Sequence, residues 1–288
     1  MVKNMKKRII IVLFIICIIV VVMVLGYSSK TGKNLNDYSV EDVYFTNDEK
    51  QKIYAELYKP NKKDKVPIVI YSHGLGATYR AGSYYAEKLL ENDIATLCID
   101  YRGGSSRSKS DGKTTEMSIM TELDDLKLAI EEIRTWDFVD KDKIIVMGSS
   151  QGGLLSAYIS VEDKDIRGAV LLYPALTLPD FINNRFPDDN NVPDEFPITS
   201  SITVGRNYIT DIRDLNMFDM IKNEDKKILI LHGTDDHTVP VSVSERAVSI
   251  YKDSELHTIE GAGHGFSDAE VDIAMEYIIK YFKEIGVI

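Results

Sequence analysis

The stretch Lys143–Gly153, KIIVMGSSQGG, constrains this chain more than any other. Four consecutive apolar residues, Ile144 to Met147, have the β-branching and length of a buried strand. They run into Gly148-Ser149-Ser150-Gln151-Gly152, and a helix-compatible segment, Leu154 to Ile159, follows. A strand that turns into a helix over a single residue holds that residue in a strained backbone conformation. Side chains two positions before and after it would crowd the corner, and both positions here are glycine. The Ser150 hydroxyl is therefore expected on a sharp strand–turn–helix corner, lifted clear of its own backbone.

The rest of the chain alternates in the same way. Val40 to Phe45 and Ile53 to Tyr58 read as two strands of an antiparallel start. Val66 to Tyr71 is a buried strand running into Ser72-His73-Gly74-Leu75-Gly76, and residues 82–91 suit a helix. Ile94 to Ile99 is the next strand, followed by a loop over 100–113 rich in Gly, Ser and charge. Ile119, Leu123, Leu126, Ile130 and Ile133 then form one face of an amphipathic helix. Ile166 to Tyr173 is a further buried strand. Pro174 to about Glu224 interrupts the pattern with Pro, Asn, Asp and scattered aromatics, and reads as an inserted cap with short helices. Strand 227–231, helix 243–251, strand 256–259 and a last helix opened by Ser267-Asp268-Ala269-Glu270 complete the chain. Strands alternating with helices predict an α/β fold, a mostly parallel central sheet with helices on both faces. Ligands in such sheets bind beyond the carboxyl ends of the strands, where every motif named here falls.

The N-terminus differs in kind. Lys3, Lys6, Lys7 and Arg8 precede an unbroken apolar run, Ile9 to Leu25, long enough as a helix to span about 25 Å. Its end, Val22-Met23-Val24-Leu25-Gly26-Tyr27, is a poor cleavage site, so an uncleaved signal anchor is expected, with secretion after cleavage as the rival. The charges ahead of the run put the remainder outside the cytoplasm, held to the cell membrane by a single pass. Residues 1–30 carry five Lys/Arg and no acid, which leaves 29 basic against 45 acidic residues beyond them. That excess disfavours nucleic acid as a partner. Cys17 and Cys98 give no disulfide framework.

A serine hydroxyl becomes a useful nucleophile only with a base in hydrogen-bond reach, itself held by a third group. Of the five histidines, His264 in Gly261-Ala262-Gly263-His264-Gly265-Phe266 is the candidate base, because flanking glycines allow a tight loop after the last strand. His257 reads as packed or surface-facing, His232 as a turn brace, and His73 as part of the earlier glycine loop. His237 is a rival base but lies too near the candidate acid. In Thr234-Asp235-Asp236-His237-Thr238-Val239-Pro240, Asp236 is the candidate orienting carboxylate, with Asp235 making a turn-type hydrogen bond to local backbone. Developing negative charge on a carbonyl oxygen needs fixed donors. The N–H groups of Gln151 and Leu75 are the candidates. No His/Cys cluster has metal-ligand spacing, so neither a metal nor an organic cofactor is expected.

The segments SHGLG, DYRGG…SDGKTTEMS, GSSQGG, LLYPA, HGTDDHTVP and GAGHGF, in this order, resemble the α/β-hydrolase superfamily, within it most the cinnamoyl/feruloyl esterase type. The serine aminopeptidase-like hydrolases and monoacylglycerol lipases are similar too. GRNYITDIRDLNMFDMIK in the cap also resembles the esterase type. The resemblance covers about residues 40–288, a hydrolase domain with a cap at about 175–224. Ahead of it the residues themselves give an N-terminal anchor over 1–27 and a linker over 28–39, and membrane-anchored forms are not the usual pattern of that family. It implies Ser150 as nucleophile, Asp236 as acid, His264 as base, and Leu75 and Gln151 as oxyanion donors, acting on a small-molecule carboxylic ester through an acyl-enzyme. A peptidase, a lipid hydrolase or a catalytically dead binding module are the alternatives. Asp188, Asp189, Asp194 and Glu195 in the cap would suit a substrate amino group, but read better as a solvated face.

Overall fold

A computed structural model describes residues 37–288 except Lys63. The apolar run Ile9–Leu25 lies outside the described residues, and among these no helix is long and apolar enough to cross a membrane. In chain order the elements begin with β1 (Tyr38–Thr46), β2 (Lys52–Pro60), β3 (Val66–Ser72), α1 (Ser83–Leu90), β4 (Ala95–Asp100) and α2 (Ile119–Ile133). There follow β5 (Val139–Ser149), α3 (Gln151–Glu162) and β6 (Gly168–Leu172). The inserted segment holds α4 (Leu178–Arg185), β7 (Glu195–Pro197), β8 (Thr203–Gly205), α5 (Arg206–Thr210) and α6 (Met217–Met220). The last four elements are β9 (Ile228–Gly233), α7 (Ser242–Val248), β10 (Ser254–Ile259) and α8 (Asp268–Glu284).

The main sheet has the order β1-β2-β4-β3-β5-β6-β9-β10. β2 runs antiparallel to β1 and β4, and the remaining pairs are parallel. The chain steps from β3 outward to β4, then crosses back over β3 to β5. That reversal opens a crevice above the carboxyl ends of β3 and β5, the expected place for a ligand.

Strand β5 shows why its sequence is a solid apolar run. Ile144 and Val146 face the layer of α2, α3 and α7, whereas Ile145 and Met147 face α1 and α8. A strand covered on both faces has no polar alternation. All four side chains are fully buried, each contributing roughly 1.5–3 kcal/mol. Helix α8 buries Val271, Ala274, Met275, Ile278 and Phe282 along one stripe. At its start the Glu270 carboxylate accepts from both the N–H and the hydroxyl of Ser267.

The cap carries short helices as its composition predicts, and also a hairpin, β7–β8, whose three-residue strands are too short to leave a readable alternation. It is tied to the loop before α2 by polar bonds. Thr114 donates its hydroxyl to Thr203 O (2.6 Å), Asn207 Nδ2 donates to Glu116 O (2.9 Å), and Ser118 donates to Asp211 (2.7 Å). Tyr208 and Phe218 are buried and anchor the cap, whereas Phe181 stands exposed. The four cap carboxylates Asp188, Asp189, Asp194 and Glu195 lie exposed, with Asp189 and Asp194 paired to Arg213 and Arg206.

Candidate active site

Ser150 sits between β5 and α3 with φ 54° and ψ −116°, outside the regions a non-glycine residue adopts freely. The turn is held from all sides. The Ser150 N–H donates to Leu172 O (2.9 Å), and its carbonyl accepts from Gly153, Leu154 and Ala175. A Cβ on Gly148 would collide with the Gly152 carbonyl, and one on Gly152 with the Ser72 carbonyl. Both glycines are therefore required by close backbone approach, as their spacing about Ser150 implies.

His264 reaches the serine from the loop after β10. Gly261 and Gly265 take φ values of 74° and 121°, which only glycine adopts without strain. His264 Nε2 lies 2.8 Å from Ser150 Oγ, and His264 Nδ1 lies 2.7 Å from Asp236 Oδ2. The tautomer these partners require has Nδ1–H donating to the carboxylate and Nε2 accepting from the serine hydroxyl. Tyr173 meets the His264 ring edge-on at 5.1 Å and Phe266 at 4.9 Å, backing the imidazole with a rigid wall.

Asp236 follows β9. Its Oδ1 accepts from the Thr238 and Val239 N–H groups, both at 2.9 Å. Burial alone would raise its pKa, but the bonds from His264 and from the two backbone donors outweigh that and hold it below the ordinary value. The turn-type bond expected of Asp235 is thus made by Asp236 itself, while Asp235 stands exposed. The same loop is braced from beneath by His232. It donates Nε2–H to Val239 O (2.8 Å) and accepts the Ser244 hydroxyl at Nδ1 (2.7 Å). Its burial disfavours the charged ring and lowers its pKa. His237 is exposed, and His257 stacks on Tyr277 at 4.1 Å.

The glycine loop after β3 passes directly beside the serine. A Cβ on Gly74 would stand 3.2 Å from Ser150 Cβ. Buried His73 donates Nδ1–H to Gly74 O (2.9 Å) and accepts the Tyr101 N–H at Nε2 (3.3 Å). In a trans peptide the carbonyl and the following N–H point in opposite directions. The bond to His73 therefore turns the Leu75 N–H away from the core. Across the serine, Gln151 is the first residue of α3, so its N–H has no acceptor within the helix.

The side chain of Gln151 joins a buried network that the sequence reading did not reach. Tyr208, from the cap, donates its hydroxyl to Gln151 Oε1 (2.6 Å), and Gln151 Nε2 donates to Glu122 Oε2 (2.6 Å). Burial of Glu122 pushes its pKa up to about 7, against the opposing influence of His73 and the Gln151 bond. Next to it Asp125, also raised by burial to about 6, is held by the Arg102 side chain at 2.6 Å and the Arg102 N–H at 2.9 Å. One signal was available: on α2, position 122 lies on the apolar face that begins at Ile119, an unusual place for a carboxylate.

A serine on a strained strand–helix corner, an imidazole and a carboxylate converging at the carboxyl edge of this sheet define an α/β-hydrolase. Residues 82–285 match the model of the prolyl oligopeptidase family (peptidase S9), and the chain belongs to that family. It is similar in structure to Est1E from Butyrivibrio proteoclasticus, solved with ferulic acid bound. The TM-score is 0.77 at 27% identity, covering 85% of this chain and 100% of that one. In sequence it is 34% identical over 126 residues to the quorum-quenching protein AidA of Acinetobacter baumannii, 42% of this chain and 40% of AidA. To the acylamino-acid-releasing enzyme of Rattus norvegicus it is 22% identical over 209 residues, 69% of this chain and 28% of that enzyme.

Proposed function

We propose that this hydrolase cleaves carboxylic esters through an acyl-enzyme. The observation that carries the reading is the unbroken relay Asp236–His264–Ser150, with hydrogen bonds of 2.7 and 2.8 Å. As the Ser150 hydroxyl attacks the ester carbonyl, its proton passes to His264 Nε2. The imidazolium is stabilised by Asp236, whose ionised form the loop already favours. The oxygen that becomes negative is held by the N–H groups of Gln151 and Leu75, each worth roughly 3 kcal/mol in comparable sites. Collapse expels the alcohol, which takes the proton from His264. Water then attacks the acyl carbonyl, giving its proton to the same nitrogen, and collapse releases the acid as Ser150 Oγ takes that proton back from His264. The ferulic acid held by Est1E supports an aromatic acid as one product of such a reaction.

Peptide bond cleavage is the second reading, favoured by the family match and by the acylamino-acid-releasing relative. Nitrophenyl esters, aminoacyl anilides and monoacylglycerols, compared on the purified full-length protein, separate the readings. Faster turnover of the anilides sinks the ester assignment, and faster turnover of the monoacylglycerols makes the enzyme a lipid hydrolase. The basic residues ahead of Ile9–Leu25 support an anchor with the hydrolase outside the cytoplasm. Sequencing the mature N-terminus tests this, since a start at Tyr27 or beyond means release.

A further inference from the structure

Beside the glycine loop lies a hollow of about 490 Å³ lined by Ala77, Thr78, Tyr79, Arg80, Ala81, Arg107 and Lys109. Its walls are the continuation of the loop that carries Leu75 and the loop after β4. The turn from Gly74 to Ala77, closed by a bond from Ala77 N–H to Gly74 O (3.1 Å), separates it from Ser150. In the sheet the order is β2-β4-β3-β5 and Lys109 reaches Tyr54 of β2. The hollow therefore runs outward from about one strand spacing from the serine at Ala77 to about three at Lys109, roughly 5–15 Å.

Three cations line this hollow in a chain of net charge −11. Lys109 is engaged: it donates to Tyr54 Oη (2.8 Å), lies over the Tyr54 and Tyr79 rings, and has Asp42 at 3.7 Å. The Arg80 side chain donates to its neighbour's phenol, Tyr79 Oη, at 3.2 Å and lies over that ring at 5.7 Å. Among the described residues neither Arg80 nor Arg107 takes part in an ion pair. The carboxylates on this side, Asp42 and Glu56, accept from the Tyr54 and Tyr58 hydroxyls at 2.6 Å; Glu56 acts on Arg80 through space and forms no close ion pair with it. Two guanidinium groups outside any close ion pair, lining a concave space beside the glycine loop, are suited to an anionic oxygen group.

We infer that the hollow binds a carboxylate carried by the ester substrate at a distance from the bond that breaks. The inference rests on the ester reading above and narrows it to acidic esters. The bulk negative charge of the protein repels such substrates in general, so a local pair of arginines is what makes them acceptable.

Three esters test this in the full-length protein: p-nitrophenyl butyrate, mono-p-nitrophenyl glutarate, and 4-carboxyphenyl butyrate. The first is neutral, and the others carry a carboxylate on the acyl or the alcohol side. At low salt, kcat/KM for at least one acidic ester should exceed that for the neutral one by about tenfold, mainly through KM. The preference should vanish in the double variant Arg80→Gln/Arg107→Gln and shrink at high salt, while turnover of the neutral ester stays unchanged. Turnover of the neutral ester without an acidic preference, or a preference untouched by the double variant, overturns the inference alone. Turnover of none of the three overturns the ester reading with it.

Discussion

Replacing Glu122 by Gln should change how stability depends on pH, by an amount the burial of this carboxyl sets. In the folded protein its pKa rises from 4.5 to about 7. Between those values the folded chain keeps a proton that the unfolded chain has released. Stability therefore falls as pH rises through that window, and above it the loss is constant. A shift of this size corresponds to about 3 kcal/mol, or roughly 6–12 °C in Tm for a domain of this length. Gln cannot ionise, yet its side-chain oxygen still accepts from Gln151 Nε2. Asp125, His73, Arg102 and the phenols of Tyr101 and Tyr208 surround the site and are present in both proteins, so the difference between the two curves reports the charge of residue 122 together with its coupling to Asp125 and His73. Thermal unfolding followed by circular dichroism from pH 4.5 to 8.5 should give curves that meet at the acid end. The variant should be the more stable at pH 8. Parallel curves would falsify the claim that Glu122 is buried without adequate compensation for its charge.

Three further outcomes follow from the site. Asp236→Asn should lower kcat by roughly 10⁴-fold, since an amide cannot hold His264 in the working tautomer. Because the Asp236 pKa is depressed from 3.8, its stabilising effect exists above that pH and fades as pH falls through the folded value, so the two proteins should converge in acid melts. Gly265→Ala meets no atom within 4 Å, so any loss must come from its φ of 121°. About 1–3 kcal/mol in urea unfolding is expected, and an unchanged midpoint would remove backbone strain from the account of the His264 loop. Tyr208→Phe deletes the cap's bond to Gln151 and should cost about 1–3 kcal/mol. Its kcat should fall less than tenfold, because the tyrosine touches no reacting atom, and a loss as large as that of Asp236→Asn would assign it a direct part in the chemistry.

Much of the fold is legible in the chain itself, because its signals are local. The apolar run at Ile144–Met147, the 119–133 helical stripe and the Ser267–Glu270 helix start each involve residues within a few turns of one another, and each element forms where its pattern lies. The glycines around Ser150 are local too: the corner needs them whatever packs above it. The β7–β8 hairpin is not legible, since three-residue strands carry no usable period.

The identities of the candidate triad could be written down from the sequence, because chain order and glycine context mark Ser150, Asp236 and His264. Which carboxylate of the pair turns inward was settled by packing. Asp236 is drawn in by two backbone donors and His264, whereas Asp235 stays in solvent. The Tyr208–Gln151–Glu122 network joins three segments far apart in the chain, and the hollow at Arg80 and Arg107 joins two loops. No local pattern encodes such meetings. The sequence determines which chemical groups are available and which backbone corners can form, while distances between groups carried on different strands exist only once β3, β5, β9 and β10 have packed side by side.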